Sequence, residues 1–220
     1  MLHYGQMNRP ASPQLHAVIG DLVGSREQAS RSEAQRHLTT ALAVANEMVD
    51  AEQPLEPTIG DELQGVYADL SSAMLATVLV RLALPESMDC RFGIGVGGIE
   101  IVGESNYGLT QDGPAWWSAR QAVDTAKDRS RQLPGLRTWI VRDDTTEAPD
   151  MAQAYLLVRD DLVSGFDGRQ RRIALGQLRG RSLTQLAADE GISPSAVSQR
   201  HRAGIGALLE SIAQASGGTA

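Results

Sequence analysis

The chain has 220 residues with a formal net charge of −7, and 42% of it is hydrophobic, which suits one large globular domain or a medium one with a small attachment. A lone cysteine, Cys90, excludes an internal disulfide framework and fits a reducing, cytoplasmic setting. No apolar run is long enough for a membrane span, and residues 1–13 lack the apolar core of a secretory signal, so they read as a frayed leader.

Leu15–Asp21 is short and apolar, the pattern of a buried strand ending on an acid. Two capping boxes follow, one opening at Ser25 and one at Ser32, and they leave the next helix start open. The body of that helix is marked by Leu38, Ala41, Leu42, Ala45, Met48 and Val49 at helical spacing. Pro54 and Pro57 end it and lead into Thr58-Ile59-Gly60-Asp61-Glu62-Leu63-Gln64-Gly65, a glycine turn between apolar runs. Asp61 and Glu62 stand side by side there, and a divalent cation would relieve their repulsion. An ordinary solvated turn explains the same residues. If the strands bearing Asp21 and Asp61 are neighbours, then Asp21, Asp61 and Glu62 form one oxygen-ligand site of the kind Mg²⁺ uses.

The return strand holds Leu63, Val66 and Tyr67, and Ser71 or Ser72 then caps a helix carrying Met74, Leu75, Val78, Leu79 and Leu82. In Arg91–Gly97, Phe92, Ile94 and Val96 alternate with Gly93, Gly95 and Gly97. One face of that strand is bulky and the other bare, which lets a helix or a ligand approach the backbone. Gly93, Gly95 and Gly98 also satisfy a dinucleotide-binding pattern, but they lie within a strand, so that interpretation is rejected. Asp112-Gly113-Pro114 marks a turn, Ala115 to Arg131 a helix, Leu136–Val141 a last strand and Asp143–Asp150 an acidic linker. The first six elements follow the βαββαβ order of a ferredoxin-like α+β domain, in which the first strand lies beside the central hairpin.

These motifs resemble the palm-like domain of class III nucleotide cyclases and diguanylate cyclases over roughly residues 15–142. Ile19–Gly24 is similar to the family's first metal strand, Thr58–Asp61 to its hairpin, Arg91–Gly97 to its glycine strand and Ser118-Ala119-Arg120 to its phosphate-contacting helix. Within that group, Gly-Asp-Glu-x-Gln-Gly, Arg-Phe-Gly-Ile-Gly and Asp-Gly-Pro-Ala-x-x-x-Ala-Arg resemble the SatD family. The resemblance implies Asp21 and Asp61 as metal aspartates and Arg120 as a phosphate contact. It also implies a nucleotide site drawing on Gly24, Gly60, Gly95, Trp116 and Arg120. Two departures are specific: Pro57 stands where cyclases read the base with lysine, and Trp116 where they place asparagine. An indole offers a stacking face and one donor, so a purine could stack on Trp116 or Trp117, or either could belong to the core. No residue is assigned a catalytic role.

Charge is divided unevenly along the chain. Residues 1–166 hold 13 basic and 23 acidic side chains, whereas 167–202 hold seven arginines against Asp167, Asp189 and Glu190. Arg169–Leu178 reads as a leading helix, and Met151–Phe166 as the connection to it. Ser182–Arg202 then carries the pattern of a helix-turn-helix: Ser182 capping, Leu183, Leu186 and Ala187 buried, Gly191 breaking, Ser193-Pro194 restarting, Val197 as anchor. The positions left outside are Ser195, Ala196, Ser198, Gln199, Arg200 and Arg202, which suit a major groove; a helical hairpin for protein contacts is the plainer alternative. Ile205, Leu208, Leu209 and Ile212 form a last stripe for packing or dimerisation. The expectation is a palm-like domain over 12–148 and a helical DNA-binding domain over 149–220. Together they make a homodimeric regulator that binds double-stranded DNA, with a nucleotide ligand and Mg²⁺. The alternatives are an active Mg²⁺-dependent nucleotidyl cyclase with a regulatory tail, and an interaction scaffold that uses neither site.

Overall fold

Leu15–Val23 forms β1, and its alternation organises a sheet with two different faces. The computed structural model describes residues 14–24, 30–58, 61–105, 108–142 and 151–217. The leader, the acidic linker and the turn residues Ile59 and Gly60 lie outside them. Val18 and Leu22 point into the main core, whereas Ala17 and Ile19 point to the other side. Helix α1 spans Arg31–Met48. Neither expected box starts it: Ser30 is the cap and accepts from the Glu33 amide, while the Ser32 hydroxyl pairs with that of Ser30. Ser25 lies outside the described residues.

Gln53–Pro57 (β2) and Glu62–Tyr67 (β3) form the expected hairpin. Asn46 of α1 holds β2 by donating to the Leu55 carbonyl and accepting from the Leu55 amide, both at 2.9 Å. Helix α2, Leu70–Ala83, is capped by Asp69 rather than by Ser71 or Ser72, whose hydroxyls both donate to the Asp69 carboxylate. A carboxylate is the stronger acceptor for the free amides of a first turn, which is why it takes the position. Asp89–Gly97 is β4. Glu100–Ser105 (β5) and Gly108–Asp112 (β6) then pair with each other as a separate two-stranded ribbon. Of this region, the sequence marks only the turn at Asp112-Gly113-Pro114.

Helix α3, Pro114–Arg129, follows Gly113, whose φ of 129° only glycine takes readily. Thr138–Arg142 (β7) closes a five-stranded sheet of order β2-β3-β1-β4-β7. All its pairings are antiparallel except β4 with β7. Helices α1 and α2 cover one face; α3 packs on the other, against β4, β7 and β1.

Helices α4 (Met151–Ser164), α5 (Gly168–Leu178), α6 (Leu183–Glu190), α7 (Pro194–Arg200) and α8 (Gly206–Ala215) complete the chain. The turn at 201–205 breaks helical geometry at Gly204, φ 128°. Val163, Phe166, Ile173, Leu186, Val197, Ile205, Leu208 and Ile212 pack into one cluster that also takes Val78 and Leu82 from α2. Helix α2 thus contributes to two clusters, Met74 and Leu79 to that of the sheet and Val78 and Leu82 to that of the C-terminal helices. Leu183, expected in the buried stripe of α6, is exposed. The last stripe is spent inside the chain: Ile205, Leu208 and Ile212 are buried.

Charge seals the same junction. Arg81 of α2 donates to Asp89 and to Asp160 of α4, and Arg159 donates to Asp160, Thr77, Thr138 and the Met74 carbonyl. Arg81, Arg159 and Asp160 are essentially buried. Full pairing is what makes burial of such groups tolerable.

Candidate functional site

The site follows from strand register. Asp21 of β1 lies opposite Glu62 of β3 on one side and Arg91 of β4 on the other, and Ile19 lies opposite Gln64. Residues two apart on a strand share a face, so Ile19, Asp21, Gln64, Glu62 and Arg91 all stand on the α3 side. Two carboxylates directly opposite each other repel. Here arginine flanks the pair at both ends: Arg91 Nη1 donates to both oxygens of Asp21 at 3.1 Å, and Arg120 of α3 reaches Glu62 at 2.8 Å. Gln64 Nε2 also donates to Glu62 at 3.0 Å. Burial pushes the Asp21 carboxyl above its ordinary range, with the Asp61 charge adding to this, while Arg91 and Lys127 pull it back. Asp61 itself is exposed.

Asp21 therefore stands opposite Glu62 rather than the expected Asp61, and arginine relieves the repulsion of that pair. No group of three metal-ligating side chains stands close enough to hold an ion among the described residues. Carboxylate oxygens suit Mg²⁺ chemically, yet those of Asp21 and Glu62 are engaged by guanidinium groups. As arranged, this donor set does not fit a resident Mg²⁺.

Beside the acids, no described helix covers this face of the sheet. Helix α3 packs over β4 and β1 but not over β2 and β3, which opens a cavity of about 510 Å³ lined by Ile19, Gln53, Gln64, Gln111, Trp116, Trp117 and Arg120. The volume is that of a small-molecule site. Trp116 and Trp117 come from the first turn of α3, and Trp117, 62% exposed, donates Nε1 to Asp112 at 2.7 Å. Trp116 Nε1 and Gln111 Oε1 are buried with no partner among the described residues.

Of the five residues expected to bind ligand, Trp116 and Arg120 line this cavity. Gly24 ends β1 in an exposed turn at φ 70°, away from the lining, and Gly60 lies outside the described residues. Gly95 is a correction. A Cβ there would sit 2.0 Å from the Ala115 carbonyl oxygen, and one at Gly93 would sit 2.2 Å from that of Ala119. The bare face of β4 is filled by the α3 backbone, leaving no room for a ligand. Gln53, Gln64 and Gln111 went unnoticed in the sequence. Gln64 had a signal, since it shares a strand face with Glu62 two residues before it.

The C-terminal candidates lie on α7 and the turn after it. Ser195, Gln199 and Arg202 are exposed, and Ala196, Ser198 and Arg200 are half-buried. Five of the seven arginines of 167–202 are committed elsewhere. Arg169 and Arg172 bind Glu190, Arg179 binds Glu47, Arg181 binds Asp189, and Arg171 is buried against backbone carbonyls. Hydrogen bonds from Arg172 hold the Glu190 carboxyl below its ordinary range. Arg200 and Arg202 have no ion-pair partner among the described residues.

No helix among the described residues is long and apolar enough to cross a membrane. No curated protein matches the sequence. The model of the SatD family matches residues 15–205, which takes in the sheet, the charged row, the cavity and α4 to α7. That span covers most of the chain, and on it the protein belongs to the SatD family.

Proposed function

We propose that the protein is a DNA-binding regulator whose sheet region carries a small-molecule site. The observation that carries this is how the basic segment spends its arginines. Five stabilise the fold, and the two left over, Arg200 and Arg202, accompany exposed Ser195 and Gln199 on and just after α7. Local geometry supports a helix-turn-helix there. Ser182 and Gln185 form a capping box at α6, Gly191 turns the chain at φ 63°, and Ser193 with Pro194 starts α7. Val197 anchors that helix in the core. Unpaired arginines beside short polar side chains are the equipment for phosphate contacts and base-edge readout.

The sheet order β2-β3-β1-β4, with β1 antiparallel to both neighbours, supports a ferredoxin-like, cyclase-like palm. The substitutions at Pro57 and Trp116 support a palm retained for binding, since catalysis needs contacts stronger in the transition state than in the ground state.

The test is selection of random double-stranded DNA on the full-length protein, followed by binding to the enriched sequence. Enrichment that Arg200→Ala with Arg202→Ala removes is the expected result. Absence of enrichment overturns the reading. Conversion of labelled ATP or GTP to cyclic or dinucleotide product, lost in Asp61→Asn, would replace it with the cyclase.

A further inference from the structure

The cavity on the uncovered sheet is specific about the chemistry it accepts. Its wall carries two indoles, its lining three carboxamides, and its floor Ile19. Indole faces favour flat aromatic rings, and carboxamides both donate and accept hydrogen bonds. One cation, Arg120, lines it, and that guanidinium is already bound to Glu62. Among the described residues, the neighbouring acids Asp21 and Glu62 are each paired with one arginine, and Lys127 also acts on Asp21, so the charge beside the cavity is close to balanced.

Two orphaned atoms narrow the choice. Trp116 Nε1 is a donor and Gln111 Oε1 an acceptor, both buried and unpartnered among the described residues. A buried polar group without a partner costs about 1–3 kcal/mol, which a ligand recovers by supplying the complement. A ring that carries both an acceptor and a donor supplies that complement.

We infer that this cavity binds a neutral or singly charged heteroaromatic of the nucleobase or nucleoside class, stacked on indole and read by carboxamides, and does not bind a polyphosphate. The inference rests on the proposed small-molecule site and gives it a substrate class. A triphosphate would bring several negative charges to one engaged guanidinium beside Asp21, Asp61 and Glu62. Phosphate sites are ordinarily built from several free donors or a metal.

The experiment is calorimetric titration of the full chain with adenosine, guanosine, cytidine and uridine, and with ATP and GTP with and without Mg²⁺. At least one nucleoside is expected to bind, and to bind no more weakly than the triphosphates. Trp116→Phe keeps a ring and removes the donor, and Gln111→Leu removes the acceptor. Each should weaken binding about three- to tenfold, the worth of one hydrogen bond, with melting temperature not lowered. Binding confined to the triphosphates overturns the inference, as does nucleoside affinity unaltered in both variants or binding of none of the compounds. DNA selection requires no ligand, so failure here and failure of the regulator reading are separately visible.

Discussion

Asp160 accepts a hydrogen bond from Arg81 Nη1 at 3.1 Å, and neither side chain has any solvent exposure. The same carboxylate accepts from Arg159 and from the amides of Arg137 and Thr138. It therefore joins α2, α4 and the start of β7 at one point. Replacing Asp160 by alanine leaves two buried guanidinium groups without their shared anion. The expected loss is about 3–5 kcal/mol, the cost of breaking a buried ion pair from one side. Urea unfolding of the variant measures it; a loss below about 1 kcal/mol would show the junction to be far wetter than described.

Acid should act on the same junction through Asp89. Burial works to raise its carboxyl, but Arg81, Arg137 and Arg171 together carry it below the ordinary range. A folded value below the unfolded one means that ionised Asp89 stabilises the fold. That contribution is complete above about pH 4, the unfolded value, and disappears as pH falls through the lower folded value. Stability followed from pH 7 to pH 2 should therefore decline at the acid end. The difference between the parent and Asp89→Asn should shrink in the same interval. A difference that stays constant with pH would rule out the ionic contribution.

The glycine strand predicts a sharp contrast between two equal substitutions. Gly95→Ala drives a methyl into the α3 backbone, whereas around Gly103 a Cβ meets nothing within 4 Å. The first should cost about 3 kcal/mol or more, at the severe end of overpacking. The second should stay within about 0.5 kcal/mol. Chemical denaturation of the two variants checks this; comparable losses would mean that α3 does not sit on β4.

The arginines of the C-terminal helices should divide into two kinds in DNA binding. Each phosphate contact contributes about 0.9 to the slope of log affinity against log salt. Removing Arg200 and Arg202 should flatten the slope by roughly 1 to 2. Arg172→Ala should instead lower stability, by leaving half-buried Glu190 to Arg169 alone, and should not change the slope. Equal slopes in all three proteins would separate Arg200 and Arg202 from phosphate.

Local chemistry explains which parts of this molecule could be read from its sequence. Strands β1, β3 and β4 announced themselves because short apolar runs ended in turns, and Ser182, Gly191, Ser193 and Pro194 punctuate α6 and α7 where expected. That the strand of Asp21 neighbours the acidic hairpin followed from the element order, but the register that sets Asp21 against Glu62 rather than Asp61 did not. What stayed hidden depends on contacts far apart in sequence. Arg91 against Asp21 needs the register of β1 with β4. Arg159 and Asp160 lie on the expected connecting helix, and their burial depends on α2 and β7, which are distant in sequence. The bare face of β4 has the same sequence whether a helix or a ligand fills it, and only the position of α3 distinguishes the two.

Helix α2 serves two masters, and this has a consequence for how the chain is made. It buries nine residues, with Met74 and Leu79 in the sheet core and Val78 and Leu82 among the C-terminal helices. On a ribosome the sheet side finds partners early, since β4 follows at once. The other side must wait for α5, which packs on it and whose Ile173 follows Val78 by 95 residues. At synthesis rates of about 5–20 residues per second, that is roughly 5 to 19 s of naked apolar helix. During that window the nascent chain offers a surface to chaperones, or to other nascent chains, that the finished protein never shows.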